Sequence, residues 1–389
     1  LWEQMTRLFP DHVALSDPLH GFGDDMTYSQ ASAAITRMAG FLQELGVQKG
    51  DKIALFSENS YRWSLVDSAI LQAGAVDVVR GATAPVDELK FIYSDSGSKA
   101  CVVENVELLE KLVKQAKLGT EVEPEFVVVM YPKDKSGETI KREAGLGSSS
   151  TRVVTVDEML QSSSSYTPVS VEEEDTATLL YTSGTTGHPK GVVLTHGNLL
   201  HQMLENVYSP SLPLEPLPGD VFLCILPCWH IFERFAEYYS LVRGAKLVYS
   251  SVKTFKSDLL RHRPHILVAV PRLYENVFQG VQAKFAAGSS LQRMLVAFFT
   301  AVATKKMEAK RSLLNAAAIE PQDQPAFLQR SPAKKLLDQL VSMLTVFLLA
   351  PFAAIGDRLI WSKVREGLGG RIKCLISGGS KLPTALDNF

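Results

Sequence analysis

From Met26 to Met130 the chain alternates between two spacings of apolar residues. Ile35, Met38, Ala39, Leu42 and Leu45 recur at helical spacing, with Ser29 able to cap the start and Gly46 closing the end. Lys52 to Phe56 then reads as a strand, Ser60 to Ala73 as a helix stopped by Gly74, and Val76 to Val79 as a second strand. Pro85 to Tyr93, Lys99 to Val103, Val106 to Lys117 and Phe126 to Met130 continue as helix, strand, helix, strand. Helices regularly interposed between apolar strands predict an α/β fold of mostly parallel β-sheets flanked by helices.

The alternation then breaks. Tyr131 to Ser150 is polar and glycine-bearing, and Ser162 to Asp175 opens on serines and ends in Glu172-Glu-Glu-Asp, which reads as a solvated loop. Thr176 to Tyr181 predicts a short buried strand and Gly191 to Leu194 a second one. Asn198 can cap a helix carrying Leu199, Met203, Leu204 and Val207, while Val221 to Leu226 and Ile266 to Val270 read as strands.

Residues 281–366 lack strand-like alternation and predict helices, broken between Ala318 and Pro332 where Pro321, Pro325 and Pro332 cluster. Val341 to Ile355 is apolar throughout but falls short of the ~20 residues a bilayer span needs, and Pro351 interrupts it. A buried core helix is the expectation there, and a helix lying on a membrane surface the alternative.

The composition, 46% hydrophobic and 21% charged over 389 residues, allows a large core and two or three subdomains. A net charge of −2 points to no polyanionic partner. Cys101, Cys224, Cys228 and Cys374 are too few and scattered for a disulfide framework, which suits a reducing compartment. No second cysteine pair lies near Cys224 and Cys228 to complete a zinc site, so they read as core thiols.

The chemistry concentrates between the strands at 176–181 and 191–194. In Tyr181-Thr-Ser-Gly-Thr-Thr-Gly-His-Pro-Lys-Gly, glycines 184, 187 and 191 permit positive φ, so that backbone amides can converge on one point. The hydroxyls of Thr182, Ser183, Thr185 and Thr186 add donors, and Lys190 adds a compact positive charge. Such a loop suits phosphate oxygens. It is not the ordinary nucleotide-triphosphatase loop, because Lys190 lies between Pro189 and Gly191 and enters a strand. Nor does the glycine spacing match a dinucleotide fingerprint.

The eleven residues from Tyr181 to Gly191 closely resemble the signature of the AMP-forming acyl-activating ligases, the superfamily of acyl-CoA synthetases and luciferases. Leu226-Pro-Cys-Trp-His-Ile-Phe-Glu-Arg and Val270-Pro-Arg-Leu-Tyr-Glu are similar to segments of its long-chain branch, and Ile376-Ser-Gly-Gly-Ser-Lys is similar to its adenine-bordering segment. The runs Gly74 to Ala82, Pro85 to Leu89 and Leu226 to Arg234 look most like plant plastid and cyanobacterial enzymes that load fatty acids onto acyl carrier protein.

The resemblance implies ATP-dependent conversion of a long-chain fatty acid to an acyl-adenylate with loss of pyrophosphate, then thioester formation on the phosphopantetheine of CoA or acyl carrier protein. It implies nucleotide contacts from Thr182, Ser183, Gly184, Thr185, Thr186, Gly187, Lys190, Ser377, Gly378, Gly379 and Ser380, with Lys190 and Thr186 catalytic and Thr182 at Mg²⁺. It further implies an acyl-adenylate border at Trp229 and His230, a structural pair in Glu233 and Arg234, no assigned chemistry for Arg272, and a chloroplast location, with cytosolic or peripheral-membrane placement the alternative.

Residues 1–175 are expected to form a first α/β subdomain, 176–280 the phosphate-loop and acyl-pocket part, 281–370 a helical insertion, and 371–389 the start of the adenine segment. Leu1 is not a start methionine and the last helix start reaches no cap, so the chain reads as a fragment of a longer protein, and the resemblance implies an N-terminal piece lacking the small C-terminal domain. A non-catalytic truncated protein that binds acyl groups or nucleotide is the rival expectation.

Overall fold

A computed structural model describes residues 1–20, 22–182, 189–208, 215–317 and 332–383. It divides into two compact units. The first comprises residues 1–258 and 264–268, and the second comprises 259–263 and 269–389.

Thirteen strands are described: β1 Val13–Asp17, β2 Phe22–Thr27, β3 Lys52–Phe56, β4 Val76–Arg80, β5 Ala100–Asn105, β6 Phe126–Tyr131, β7 Arg152–Thr155, β8 Thr176–Thr182, β9 Lys190–Thr195, β10 Val221–Cys224, β11 Lys246–Tyr249, β12 Ile266–Ala269 and β13 Cys374–Ser377. In the first unit a seven-stranded sheet runs β7-β6-β5-β3-β4-β8-β9, parallel throughout except for the antiparallel β8–β9 pair at its edge. A second sheet runs β12-β10-β11-β1-β2, parallel apart from β1–β2. Central strands such as Ala100-Cys-Val-Val and Phe126-Val-Val-Val-Met are apolar on both faces because helices cover both. The mostly parallel α/β architecture predicted from the alternation is the one observed.

Details differ where polar chemistry rather than periodicity sets a boundary. Helix Tyr28–Glu44 is capped by Thr27, not Ser29: the Thr27 hydroxyl accepts from Gln30 N while the Gln30 side chain accepts from Thr27 N. Helix His196–Tyr208 begins with the same reciprocity, Thr195 Oγ1 accepting from Asn198 N and Asn198 Oδ1 from Thr195 N, so Thr195 takes the capping role expected of Asn198. The polar stretch 131–150 contains a short helix, Gly137–Glu143. Its Ser136 cap, Glu138 at the start and Lys141 and Arg142 at the end compensate for having little apolar face. The antiparallel β1–β2 pair ahead of residue 28 carries too short a pattern to have been read from sequence.

The second unit holds helices Pro271–Ala286, Ser290–Ala317, Pro332–Gly356 and Ser362–Gly367, with a π-helical turn at Asp357–Trp361. The expected proline-rich break falls on 318–331, outside the described residues. The apolar stretch at 341–355 is not a core helix. Only 6% of its most apolar window is buried, and Pro351 sits inside a continuous helix instead of ending it. Packing on the neighbouring helix supports it across the proline: Phe352 meets Phe298 edge-on at 6.3 Å, and Gly356 lies against the Phe299 ring.

Candidate active site

Parallel strands deliver their carboxyl ends to one edge of a sheet, where loops rather than ladders satisfy the backbone. In the first unit the ends of β3, β4, β8 and β10 lead into the candidate site residues. Thr182 closes β8 opposite Lys190, which opens β9. Both side chains are exposed, and no carboxylate among the described residues pairs with Lys190. Thr182 and Lys190 thus stand as a hydroxyl and a cation at the mouth of the loop. Ser183, Gly184, Thr185, Thr186, Gly187 and His188 lie outside the described residues.

Gly191 does not use positive φ, contrary to the sequence expectation. A Cβ there would sit 3.1–3.3 Å from the Tyr181 ring, so the glycine leaves room for that side chain across the edge strand. Tyr181 in turn donates to Asp95 Oδ2 at 2.7 Å. Burial first, and the Asp95 carboxylate second, keep its phenol protonated by raising the pKa.

Trp229 lies over the end of β4. Its indole Nε1 donates to Glu58 Oε2 at 3.1 Å, and the Arg80 guanidinium stands 4.9 Å from its ring centroid. Glu58 Oε1 accepts from both Thr83 N and Thr83 Oγ1, at 3.1 and 2.9 Å. Asn59 holds the loop after β10 by donating to Leu226 O and accepting from Cys228 N at 2.8 Å. His230 is exposed, and its Nδ1 accepts from Phe232 N at 3.3 Å as the cap of helix Ile231–Leu241. Trp229 is therefore clamped by protein groups, whereas His230 keeps its Nε2 side open to solvent.

Glu233 and Arg234 do not pair with each other. Neighbouring positions on a helix point about 100° apart, and here each finds its own partners. Glu233 Oε1 accepts from Ile225 N at 3.1 Å. Arg234 is completely buried: it donates to Thr178 Oγ1 at 2.8 Å and Tyr238 OH at 2.9 Å, pairs with Asp77 Oδ2 at 2.9 Å, and also binds Asp67. Burial pushes the Asp67 carboxyl well up, against the opposing pull of Arg234.

Close by in sequence, the Cys224 thiol and the Glu233 and Glu237 carboxyls place ligand-type atoms within 4.8 Å of one another. Burial raises all three pKa values, Glu237 to about 8. Glu233 Oε2 and Glu237 Oε1 are buried without a hydrogen-bond partner among the described residues, and Cys228 is buried nearby.

In the second unit, Ser377 ends β13 with its Oγ buried and lacking a hydrogen-bond partner among the described residues. Gly378 N donates to Ala269 O at 3.2 Å, Gly379 takes φ +80°, and Ser380 is exposed. Tyr274 OH donates to Ile376 O at 2.8 Å, which fixes the strand leading into this turn. Arg272 is a surface residue paired with Glu275 at 3.2 Å.

Glu58, Asn59, Arg80 and Gly81 were missed by sequence reasoning. Their available signal was positional, a polar or glycine residue at or within three residues of the end of an apolar parallel strand.

The AMP-binding enzyme family model matches residues 2–389. The chain is 34% identical over its whole length to both a probable acyl-activating enzyme 16, chloroplastic, and a long-chain-fatty-acid–acyl-carrier-protein ligase, chloroplastic, of Arabidopsis thaliana, and covers 53% of each. It thus spans about half the length of these curated relatives. Among solved structures it resembles the Mycobacterium tuberculosis fatty acyl CoA synthetase, with a TM-score of 0.55 at 25% identity, over 70% of this chain and 49% of that one. A whole-chain family match, the mostly parallel α/β core and the hydroxyl- and lysine-flanked loop agree, and the chain belongs to the family of AMP-binding enzymes.

Proposed function

We propose that the protein of which this chain forms part activates a long-chain fatty acid with ATP and passes the acyl group to a thiol of CoA or acyl carrier protein. The observation that carries this reading is Lys190, exposed and facing Thr182 where β8 and β9 open into the hydroxyl-rich loop. A carboxylate is a poor electrophile toward a thiol. In the reaction proposed here, a carboxylate oxygen bonds to the α-phosphorus of ATP, the bond to pyrophosphate breaks, and AMP becomes the group that a thiolate later expels.

The first step brings two anions together. Lys190, Ser183, Thr185, Thr186 and the loop amides of Gly184 and Gly187 offset that repulsion by holding phosphate oxygens. The exposed Thr182 hydroxyl is an oxygen donor of the kind Mg²⁺ accepts, and the ion, when bound, neutralises charge on the phosphates. Trp229, fixed by Glu58 and Arg80, forms a rigid wall for the acyl group, with His230 beside it. Ser377, Gly378, Gly379 and Ser380 border the adenine, and the open backbone at Gly379 permits close approach of a flat ring. The domain divisions at 175, 280 and 370 belong to the same reading, as does a chloroplast location, supported by the names of the two Arabidopsis relatives.

The test is fatty-acid-dependent pyrophosphate release from ATP by the full-length protein, scanned over chain length. Release that peaks with long chains and disappears in Lys190→Ala is expected. Nucleotide and acyl binding without any release would instead establish a non-catalytic binding protein.

A further inference from the structure

The helix at 332–356 is built inside out for a water-soluble surface. Ser342, Thr345, Val346, Leu349, Ala353 and Gly356 form its more buried face and follow one helical stripe, the stripe that packs on helix Ser290–Ala317. The opposite stripe holds Leu340, Leu344, Phe347 and Ile355, and these are 50–76% exposed. The face that an ordinary surface helix fills with charge is therefore apolar.

The apolar character is continuous. No residue from 339 to 356 is charged, and the helical stretch Leu336–Gly367 is long and apolar enough to cross a membrane, with a mean hydropathy of 1.9 and only 6% burial in its best window. A core helix of that hydropathy would be mostly buried. Its hydroxyls are turned inward to the backbone: Thr345 Oγ1 donates to Val341 O at 2.7 Å and Ser362 Oγ to Arg358 O at 2.9 Å. Leu291, Met294 and Phe298 on the partner helix are also exposed.

Charge separates a lipid surface from other occupants. Residues 290–317 and 332–367 carry ten Lys and Arg against four Asp and Glu, whereas the whole chain has a net charge of −2. Arg358 and Lys363 are exposed beyond one end of the uncharged stretch, Lys334 and Lys335 precede its other end in sequence, and Lys305 and Lys310 are exposed on the neighbouring helix. An apolar stripe with basic residues beyond its ends suits a bilayer with anionic headgroups, the acyl region taking Leu and Phe and the headgroups taking Lys and Arg.

We propose that this helical pair docks the protein on an anionic membrane surface, with the 340–355 stripe lying in the headgroup–acyl boundary.

The test is co-flotation of the full-length protein with phosphatidylcholine vesicles, with and without phosphatidylglycerol. Binding that is stronger with phosphatidylglycerol and weakened by salt is expected, falling at least about tenfold in Leu344→Glu/Phe347→Glu. Both sites are exposed, so the variant should retain the wild-type circular dichroism and thermal transition. Val252→Glu, at a 74% exposed position in the first unit, should bind as the wild type does. Failure to bind either vesicle, or equal binding by the double variant, overturns the proposal. A double variant that loses only self-association overturns it in favour of a second copy of the chain.

Discussion

The guanidinium of Arg234 donates to the hydroxyl of Thr178 at 2.8 Å in full burial, tying the helix behind His230 to β8, the strand that ends at Thr182. The same guanidinium pairs with Asp77 on β4, and Asp77 and Thr178 are directly paired residues of adjacent parallel strands. One buried side chain thus sets the spacing between helix Ile231–Leu241 and strands β4 and β8.

Arg234→Met should destabilise the protein by about 3–5 kcal/mol, because Asp67 and Asp77 would then be buried without a cation. Urea denaturation measures this. Adding Asp77→Asn should recover part of the loss, and strictly additive effects would contradict a shared network.

Gly81→Ala should disturb Trp229. A Cβ at residue 81 would fall 2.6 Å from the indole Nε1 and 2.8 Å from Glu58 Oε1. The expected cost is about 1–3 kcal/mol from overpacking, with Trp229 emission moving toward that of solvent-exposed indole. In the proposed reaction the KM for the fatty acid should rise and that for ATP should stay near wild type. A variant with unchanged emission would mean that the clamp relaxes without moving the indole.

Lys190→Ala should leave stability within about 0.5 kcal/mol, since the side chain is exposed and makes no ion pair with a described residue. Nucleotide affinity, measured by calorimetry with ATP, should fall roughly tenfold or more. A large loss of stability instead would show that the lysine serves the β8–β9 hairpin.

Glu237 gives the stability a pH dependence. Burial raises its pKa from 4.5 to about 8, partly countered by hydrogen bonds from Tyr249 and Cys224 and by the charge of Arg234, with Glu233 close at hand. The folded protein therefore holds a proton that the unfolded chain releases above pH 4.5. This contribution is fully present below that pH and is lost as pH rises toward about 8, at up to roughly 1.4 kcal/mol per pH unit. Thermal denaturation between pH 5 and 8 should flatten in Glu237→Gln. An identical slope in the variant would move the titration to Glu233.

Much of this molecule is written locally. The helix and strand alternation from residue 28 to 131 was legible because a strand covered on both faces must be apolar throughout, and each covering helix must repeat its apolar positions every three to four residues. The family was legible as well, since the glycines, hydroxyls and Lys190 that carry its resemblance sit within eleven consecutive residues.

Tertiary structure decided the rest, because sequence spacing does not specify which distant groups meet. Glu58 and Trp229 are 171 positions apart and share a hydrogen bond, while the adjacent Glu233 and Arg234 turn to different partners. Hydropathy alone could not distinguish a buried helix at 341–355 from an exposed one, since both are apolar. Its exposure became visible only once Leu340, Leu344, Phe347 and Ile355 were found facing away from the neighbouring helix.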